Sequence, residues 1–449
     1  MGALRPLSWA GIFRLGLAQV GLGAVVVLTT STLNRLMVVE LALPAMLPGL
    51  LVGLHYAMGM LRPRWGHGSD RGRRTPWILG GMAALATGGF LAACATVLME
   101  TAFWPGVALA TFAFTLIGGG VGAAGTAVLA LLATRCAPER RAPAATIVWL
   151  MMIVGLGATA GISGAFLDPY SPARLVTVAG CVALAAMTLA TLGVIGMERG
   201  AAPSAEAAQT PFMDVLRETL AEPAARRFTV FVFVSMLAFS AQDLILEPFA
   251  GHVFGFTVGE STTLAAKQQS GIFFGMVLTA VAASAAGRRL LGEAAGRLSF
   301  WIVAGCLGSG LALAGLVAGA FTPGWPLAVN VFALGFMNGM FAVAAIASMM
   351  ALAGATGAGR EGARMGLWGA SQAIAFGLGG LLGATLVDIA RALVGEPSLA
   401  YAAVFALEAT LFMVAAWLGA SVGVERAGAP RGRADYRNDA PAAALVAGE

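Results

Sequence analysis

Twelve stretches of this chain are each long and apolar enough to cross a membrane as an α-helix. A membrane-spanning helix needs about 20 mostly apolar residues. The stretches are 14–36, 44–61, 77–98, 105–133, 143–166, 174–197, 228–248, 268–287, 298–320, 325–353, 365–387 and 399–422. Charged residues make up only 11% of the 449, against roughly 25% in soluble domains. Because backbone groups in lipid must bond within their own segment, the sequence predicts an all-α polytopic membrane protein with twelve transmembrane helices.

The basic residues between these stretches fall mainly on one side of the predicted membrane. That side includes Arg14, Arg74, Arg135, Arg226 and Arg288. The opposite side has only Arg35, Arg174, Lys267 and Arg391. Loops rich in Lys and Arg remain in the cytoplasm, so we expect a multi-pass membrane protein with both termini cytoplasmic. The same rule accounts for the net charge of +5 without a nucleic-acid partner.

The fifth and the eleventh stretch repeat one pattern. Glu139-Arg-Arg leads into a glycine-rich run that ends at Asp168, and Arg360-Glu-Gly-Ala-Arg leads into another that ends at Asp388. Internal repeats of this kind are typical of transporters built from two related six-helix halves. The sequence therefore predicts the major facilitator fold.

Composition divides the chain into four parts. The most polar internal stretch holds a segment from Pro211 to Leu220 whose apolar residues recur at helical spacing. The C-terminal tail is rich in Ala, Pro, Arg and Asp without apolar periodicity, which indicates disorder. The predicted parts are an N-terminal six-helix half at 1–197, a cytoplasmic linker with a short amphipathic helix at 198–227, a C-terminal six-helix half at 228–422 and a disordered cytoplasmic tail at 423–449.

The loop between the second and third stretches carries a recognisable motif. Major facilitator transporters have Gly-x-x-x-Asp-Arg-x-Gly-Arg-Arg here, and this loop resembles it with one residue fewer after Asp-Arg. Its members are Gly66, His67, Ser69, Asp70, Arg73 and Arg74. An acid and arginines at helix ends can bridge neighbouring helices and clamp a gate. Alternatively, the arginines only satisfy the positive-inside rule.

Several charged side chains lie within or at the edge of predicted spans, where each needs a partner or a water-filled space. Asp243 and Glu247 are one helical turn apart in the seventh span, and Glu408 lies in the twelfth. Arg35 and Glu40 lie at the corresponding end of the first span, which faces the seventh in this architecture. We predict an outer gate in which Arg35 pairs with Asp243 or Glu247, with Glu40 nearby. The alternative is that each charge reaches the interface separately; the partner of Glu408 stays open.

One histidine is a candidate ligand, and no residue set indicates catalysis. His55, near the centre of the second span, could bind the magnesium of a tetrapyrrole, since imidazole is a common metal ligand. A lone membrane histidine is more often a packed hydrogen-bond partner. The four cysteines form no Cys-x-x-Cys pair, and no catalytic triad, Rossmann fingerprint or phosphate-binding loop is present. We therefore predict no metal site of its own and no enzymatic activity.

Three blocks of the chain carry a resemblance to a known family. They are Leu33-Asn-Arg-Leu-Met-Val-Val-Glu-Leu41, Gly66-His-Gly-Ser-Asp70 and Ala241-Gln-Asp-Leu-Ile-Leu-Glu-Pro-Phe-Ala-Gly251. The chain resembles the bacteriochlorophyll-delivery or light-harvesting assembly family, of PucC and LhaA type, from purple phototrophic bacteria. It is most similar to the shorter branch described as a bacteriochlorophyll synthase chain. The family tends to have an acid or amide at the position of His252, so no role is carried over to that residue.

The resemblance implies a factor that assembles pigment–protein complexes in the bacterial inner (intracytoplasmic) membrane. Its cargo would be bacteriochlorophyll or a precursor. Its partners would be light-harvesting or reaction-centre polypeptides and chlorophyll synthase. One alternative is a proton-coupled secondary transporter of a small apolar solute, with Asp243, Glu247 and Glu408 as proton carriers. A second alternative is a non-catalytic subunit of bacteriochlorophyll synthase.

Overall fold

The computed structural model describes residues 7–61, 65, 73–136, 141–198, 217, 221–283, 285–354 and 361–421. These parts contain twelve long helices and no β-strand. The helices are α1 Trp9–Glu40, α2 Met46–Leu61, α3 Thr75–Met99, α4 Phe103–Arg135, α5 Arg141–Leu167, α6 Pro172–Val194, α7 Pro223–Phe254, α8 Val258–Ala282, α9 Leu298–Gly319, α10 Leu327–Gly354, α11 Glu361–Val394 and α12 Pro397–Ser421. A short helix, Ala285–Leu291, lies between α8 and α9. The prediction of an all-α polytopic protein is confirmed.

Ten of the twelve helices are long and apolar enough to cross a membrane, and the exceptions are α2, which is shorter, and α8. The prediction placed the eighth span at 268–287, but α8 begins at Val258. The hydropathy of this region is low because its first turns are polar. A capping box between Thr257 and Glu260 nonetheless starts the helix there. Hydropathy therefore located the apolar part of α8 and missed its polar beginning.

The helices α1–α6 and α7–α12 make matching contacts. In the first group α1 packs on α5 and α6, and α3 packs on α4; in the second group α7 packs on α11 and α12, and α9 packs on α10. The two groups meet where α5 packs on α8 and α2 packs on α11. The repeated pattern follows from the repeat in the sequence. Most of the predicted linker and the predicted tail lie outside the described residues.

The two ends of the bundle differ in charge. We call the end that holds Arg14, Arg74 and Arg135 the arginine-rich end. The opposite end, with Arg35, Arg174 and Arg391, is called the arginine-poor end. Because the helices run alternately between these ends, the charged residues of each loop can be assigned to one of them.

Glycines allow the helix backbones to touch. A Cβ atom added at Gly120 of α4 would lie 2.5 Å from both the carbonyl oxygen of Gly81 and the amide nitrogen of Leu85 on α3. A Cβ atom at Gly119, the preceding residue, would meet nothing within 4 Å. Small residues at helix interfaces permit this close approach in membranes, where packing contributes much of the association. Gly120 is therefore a contact residue of the α3–α4 pair, and Gly119 is not.

We predict that Gly120→Ala lowers the thermal stability of the purified protein, whereas Gly119→Ala does not. The added methyl group at Gly120 would force α3 and α4 apart, and overpacking of this kind costs about 1–3 kcal/mol. Alanine at position 119 meets open space and favours helix by up to about 1 kcal/mol. Unfolding of both variants in the same detergent, followed by intrinsic fluorescence, measures the difference. Equal midpoints for the two variants would contradict the assigned contact.

Candidate functional site

The arginine-poor end of α1 is shaped by two wide π-helical turns, Leu28–Thr32 and Leu36–Glu40. They flank Asn34 and Arg35, and Arg35 is only 2% exposed. Nη1 of Arg35 donates to Oε1 of Glu40 at 2.5 Å, and Nη2 donates to the carbonyl oxygen of Phe256 at 2.6 Å. Wide turns of this type often mark functional positions in helices. Here they place the guanidinium between its own helix and the beginning of the α7–α8 connection.

The structure does not show the predicted ion pair between Arg35 and either Asp243 or Glu247. Arg35 pairs instead with Glu40, because the π-helical turn brings the side chain five residues ahead back toward the guanidinium. The second Nη group is taken by the backbone of Phe256 on the other half. Arg35 therefore joins the two halves, but through a carbonyl oxygen.

Asp243 and Glu247 have different partners although they lie one turn apart on α7. The Ser31 hydroxyl of α1 donates to Oε1 of Glu247, which is 2% exposed. Asp243 is partly exposed, and its Oδ1 accepts from Nε2 of Gln268 on α8 at 3.4 Å. One turn away from Glu247, Nδ2 of Asn34 donates to the carbonyl oxygen of Leu244 at 2.6 Å. The α1–α7 contact thus depends on Glu247 and on backbone groups, with Asp243 set toward α8.

Two further carboxylates join the halves, and neither was predicted as a site residue. Asp168, after α5, accepts from the Gly259 amide at 3.0 Å and from the Thr257 hydroxyl at 2.6 Å, at the start of α8. Asp388, near the end of α11, accepts from the amides of Ala45 and Met46 at 3.0 and 2.7 Å, at the start of α2. The first amides of a helix lack partners within it, and they attract negative charge. Each acid therefore caps a helix of the opposite half.

The two caps are related by the repeat of the chain. Each acid follows the glycine-rich run in the fifth helix of its half, a repeat visible in the sequence, but only the fold shows what each acid contacts. A side chain at Gly259 would collide with Asp168, so the close approach of this carboxylate requires glycine there. We call Asp168, Asp388 and the amides they bind the cap pair. Together with the α1–α7 contacts, the cap pair closes the arginine-poor end.

At the arginine-rich end, one acid and two arginines hold the end of α6. Oε1 of Glu198 accepts from the Arg74 amide at 2.8 Å, and Oε2 accepts from the amide and the hydroxyl of Thr75, both at 2.7 Å. Arg135 donates to the carbonyl oxygen of Met197 at 2.8 Å, and Arg14 donates to that of Leu192 at 2.7 Å. Glu198 thus caps α3, and the arginines bind carbonyl groups at the C-terminal end of α6.

The predicted loop clamp is only partly within the described chain. Gly66, His67, Ser69 and Asp70 lie outside the described residues. Arg73 is exposed, and Arg74 contributes its backbone amide to Glu198. The clamp therefore stays a prediction, and the observed link at this end is made by Glu198.

Burial of Glu198 by itself raises its pKa, but the hydrogen bonds from Arg74 and Thr75 outweigh this effect and hold the pKa below its ordinary value. These donors bind the charged form of the carboxylate, and the positive end of α3 favours the same form. The cap is therefore strongest when Glu198 is ionised.

His55 is packed inside the bundle. Its side chain is 4% exposed, and its backbone lies against Gly118 of α4. The Tyr56 ring meets the imidazole edge-on, with centroids 4.8 Å apart. Because the side chain is buried, a tetrapyrrole would reach His55 only if the helices around it moved apart. Ligation of a pigment by His55 stays a prediction.

Glu408 lies in the middle of α12 and is 2% exposed. Neither carboxylate oxygen has a hydrogen-bond partner among the described residues. Within the same residues, no group of three His, Cys, Asp or Glu side chains could hold a metal ion. The charged groups of the bundle are thus suited to holding helix ends together and to binding protons, with Glu408 still unassigned.

Comparison with known proteins identifies one family profile and several relatives that match most of the chain. A family profile described as "PUCC protein" matches residues 32–427. The "Bacteriochlorophyll synthase 44.5 kDa chain" of Rhodobacter capsulatus is 54% identical over 425 residues, which cover 94% of this chain and 97% of the relative. "Protein PucC" of Cereibacter sphaeroides is 33% identical and covers 89% of this chain and 88% of its own length.

Solved structures share the fold at low identity. A bacterial homolog of the human lysosomal transporter Spinster, in an inward-facing and occupied conformation, aligns with a TM-score of 0.65 at 16% identity. The alignment covers 94% of this chain and 97% of the homolog. A peptide transporter, POT, aligns with a TM-score of 0.66 at 15% identity, over 95% of this chain and 97% of its own. The predicted major facilitator fold is therefore confirmed.

We predict that removal of both caps, Asp168→Ala with Asp388→Ala, opens the arginine-poor end. A helix cap contributes about 1 kcal/mol, so each loss should favour opening roughly fivefold and both together more than tenfold. The readout is the labelling rate of a cysteine placed at Thr262, which is fully buried and 3.3 Å from Thr32 of α1. Protein without the added cysteine sets the background.

The matched control for the cap variants is Glu396→Ala, an exposed acid at the same end. It should leave the labelling rate unchanged. An unchanged rate in the double cap variant, with the fold intact, would contradict the role assigned to the cap pair.

We predict a pH-dependent stability difference between the native chain and Glu198→Gln. Because the folded pKa of Glu198 is lowered, the carboxylate stabilises the fold above the pKa that it has when unfolded, about 4.3. That contribution disappears as the pH falls through this value toward the folded pKa. The unfolding midpoints of the two proteins should therefore differ near neutral pH and converge in acid. A constant difference across the whole range would refute the charged cap.

Proposed function

This chain belongs to the PUCC protein family, and from that premise we propose that it is a non-enzymatic assembly factor for photosynthetic pigment–protein complexes. The observation that carries the proposal is the 54% identity to a bacteriochlorophyll synthase chain over almost the full length of both proteins. Relatives named PucC match at lower identity over most of the chain. The proposed activity is to receive bacteriochlorophyll, or a precursor, in the membrane and to deliver it to the polypeptides that bind it.

The structure supports a protein that binds and releases a cargo, and not one that changes the cargo chemically. The transporter-type fold holds two groups of six helices that meet along α2–α11 and α5–α8. The cap pair closes one end by two carboxylates, each of which accepts two hydrogen bonds that can break and form again. The charged groups described above hold helix ends and do not converge on a reactive side chain. A pigment with a long apolar tail would meet mostly apolar helix surfaces and could remain partly in the lipid.

The name of the relative that is 54% identical includes the word synthase, and this suggests that the present chain works together with a synthase. We propose that this chain works beside chlorophyll synthase and takes over the finished pigment. Light-harvesting or reaction-centre polypeptides would be the recipients. The proposed setting is the intracytoplasmic inner membrane, with the arginine-rich end and both termini in the cytoplasm.

A second candidate is a proton-coupled transporter of a small apolar solute. Asp243, Glu247 and Glu408 favour it, because acids within a bundle mark proton pathways in many transporters. The similarity to solved transporters supports the same fold and says nothing about a solute. The two candidates differ in what should copurify with the protein. An assembly factor should carry a pigment and assembly partners, and a transporter of a small solute should carry neither.

We predict that affinity-tagged protein, purified in mild detergent from phototrophically grown membranes, carries bacteriochlorophyll. Absorbance of the eluate measures the pigment, and mass spectrometry identifies co-eluting proteins. Antenna polypeptides or chlorophyll synthase should be enriched over a parallel purification of an unrelated tagged membrane protein. If His55 binds the magnesium, His55→Phe should lower the pigment per protein, while His252→Phe, which alters a residue bonded to Tyr401, should not. No pigment and no such partner above the control would overturn the proposed function.

A further inference from the structure

Three polar side chains are buried inside the second group of helices without hydrogen-bond partners in the described chain: Thr279 of α8, and Glu408 and Gln242 on two neighbouring helices. Glu408 of α12 has both carboxylate oxygens unpaired, and Gln242 of α7 has both amide atoms unpaired. Their exposed fractions are 2% and 0%. A buried polar group without a partner is costly, and a charged one more so. The burial of these side chains therefore points to a functional role in addition to packing.

The packing of α7 against α12 places Glu408 and Gln242 about one helical turn apart along the bundle. Nδ1 of His252 and the Tyr401 hydroxyl are 2.9 Å apart, and the rings of Phe249 and Phe405 have centroids 5.0 Å apart. The two helices are antiparallel, so residues further along α12 oppose residues earlier in α7. Glu408 lies seven positions beyond Tyr401, roughly 10 Å deeper at 1.5 Å per residue. On α7 that level is Ile245, seven positions before His252 and about one turn from Gln242 and Asp243. Ionised carboxylates at Asp243 and Glu408 are close enough to repel each other.

The neighbouring helices bring no positive charge to this level in the described chain. Neither α9 nor α10 contains a charged residue. On α11 the nearby charges are Asp388 and Arg391, both at the arginine-poor end, where Asp388 caps α2. Asn338 of α10 and Ser309 of α9 bond to each other at 2.8 Å and are uncharged.

The cations of the other half and of α8 are also engaged or remote. Arg35 pairs with Glu40 and with the Phe256 carbonyl. Lys267 of α8 is exposed. Glu247 on α7 bonds to Ser31 of α1 and lies within the electrostatic reach of Arg35. Asp243 and Glu408 thus share this interior without a compensating cation in the described chain, and bound water could supply hydrogen bonds but no positive charge.

We infer that Glu408 and Asp243 form a proton-binding site, in which Glu408 holds the proton and Asp243 exchanges it. Protonation makes Glu408 neutral, which removes most of the cost of burying its carboxyl group without a cation. Asp243 is partly exposed and bonded to Gln268 of α8, so it can pass a proton between Glu408 and the space beside α8. The transfer moves one proton from one carboxyl oxygen to another, and no other bond changes.

A proton bound at this site would affect how α7 contacts α1, an effect that the proposed assembly function does not require. Asp243 and Glu247 lie on the α7 turns that contact α1 through Ser31 and Asn34. Loss of the proton would leave adjacent negative charges on α7 and α12, which repel each other and displace α7. Proton binding would thereby favour the closed arginine-poor end, whatever cargo the protein handles.

Infrared spectroscopy of the purified full-length protein tests the site without any cargo. A protonated carboxylic acid has a carbonyl stretch that an ionised one lacks, and the band shifts in heavy water. At about pH 8, where ordinary carboxyl groups are ionised, the native protein should show this band. Glu408→Gln should lose the absorption of one carboxylic acid, and Asp243→Asn should change the pH at which the band appears. The control Glu396→Gln, at an exposed acid, should change neither.

Three results would overturn the inference. The first is absence of the band in the native protein at this pH, a measurement that needs no variant to fold. The second is an undiminished band in folded Glu408→Gln. The third is loss of the band in Glu247→Gln instead, which would place the proton on Glu247. If Glu408→Gln does not fold, Glu408→Asp should keep a band at a shifted frequency, and its absence would count equally against the site.

Discussion

In a membrane, helices gain little by hiding apolar side chains from one another, so this bundle depends on close approach of backbones at glycines. Gly120 lets α4 touch the backbone of α3, and its neighbour Gly119 faces open space. At the junction of the halves, Gly259 leaves room for the Asp168 carboxylate at the start of α8. The glycine content of the chain is thus the condition for its polar contacts as well as for its packing.

A second constraint comes from the beginnings of the helices, whose first amides have no partner within the helix and cannot bond to lipid. Three acids meet this need: Asp168 on α8, Asp388 on α2 and Glu198 on α3. Two of them join opposite halves, and Glu198 acts within one. A carboxylate on a helix terminus is strong enough to hold an end closed and can be replaced by water when the end opens. The same type of contact therefore accounts for both cohesion and possible movement.

The α7 helix links the acids to this closure. Its arginine-poor part contacts α1 through Glu247 and Leu244, α8 through Asp243, and α12 through the ring contacts around Phe249. A change in charge on α7 would act on all three neighbours together. In the proposed function, such a link would couple the release of a pigment to proton binding by Asp243 and Glu408.

The sequence by itself determined the helical membrane class, the major facilitator fold and the family, since apolar length, the internal repeat and specific blocks are local properties. It also identified Arg35, Asp243, Glu247 and Glu408 as unusual, because charge in a span is visible without coordinates. The sequence did not determine the partners of these residues, since Arg35 bonds to Glu40 and Phe256. It also did not show that Asp168 and Asp388 cap helices of the other half. Those pairings join residues far apart in the chain, or depend on the pitch of a π-helical turn, and only the packed bundle decides such distances.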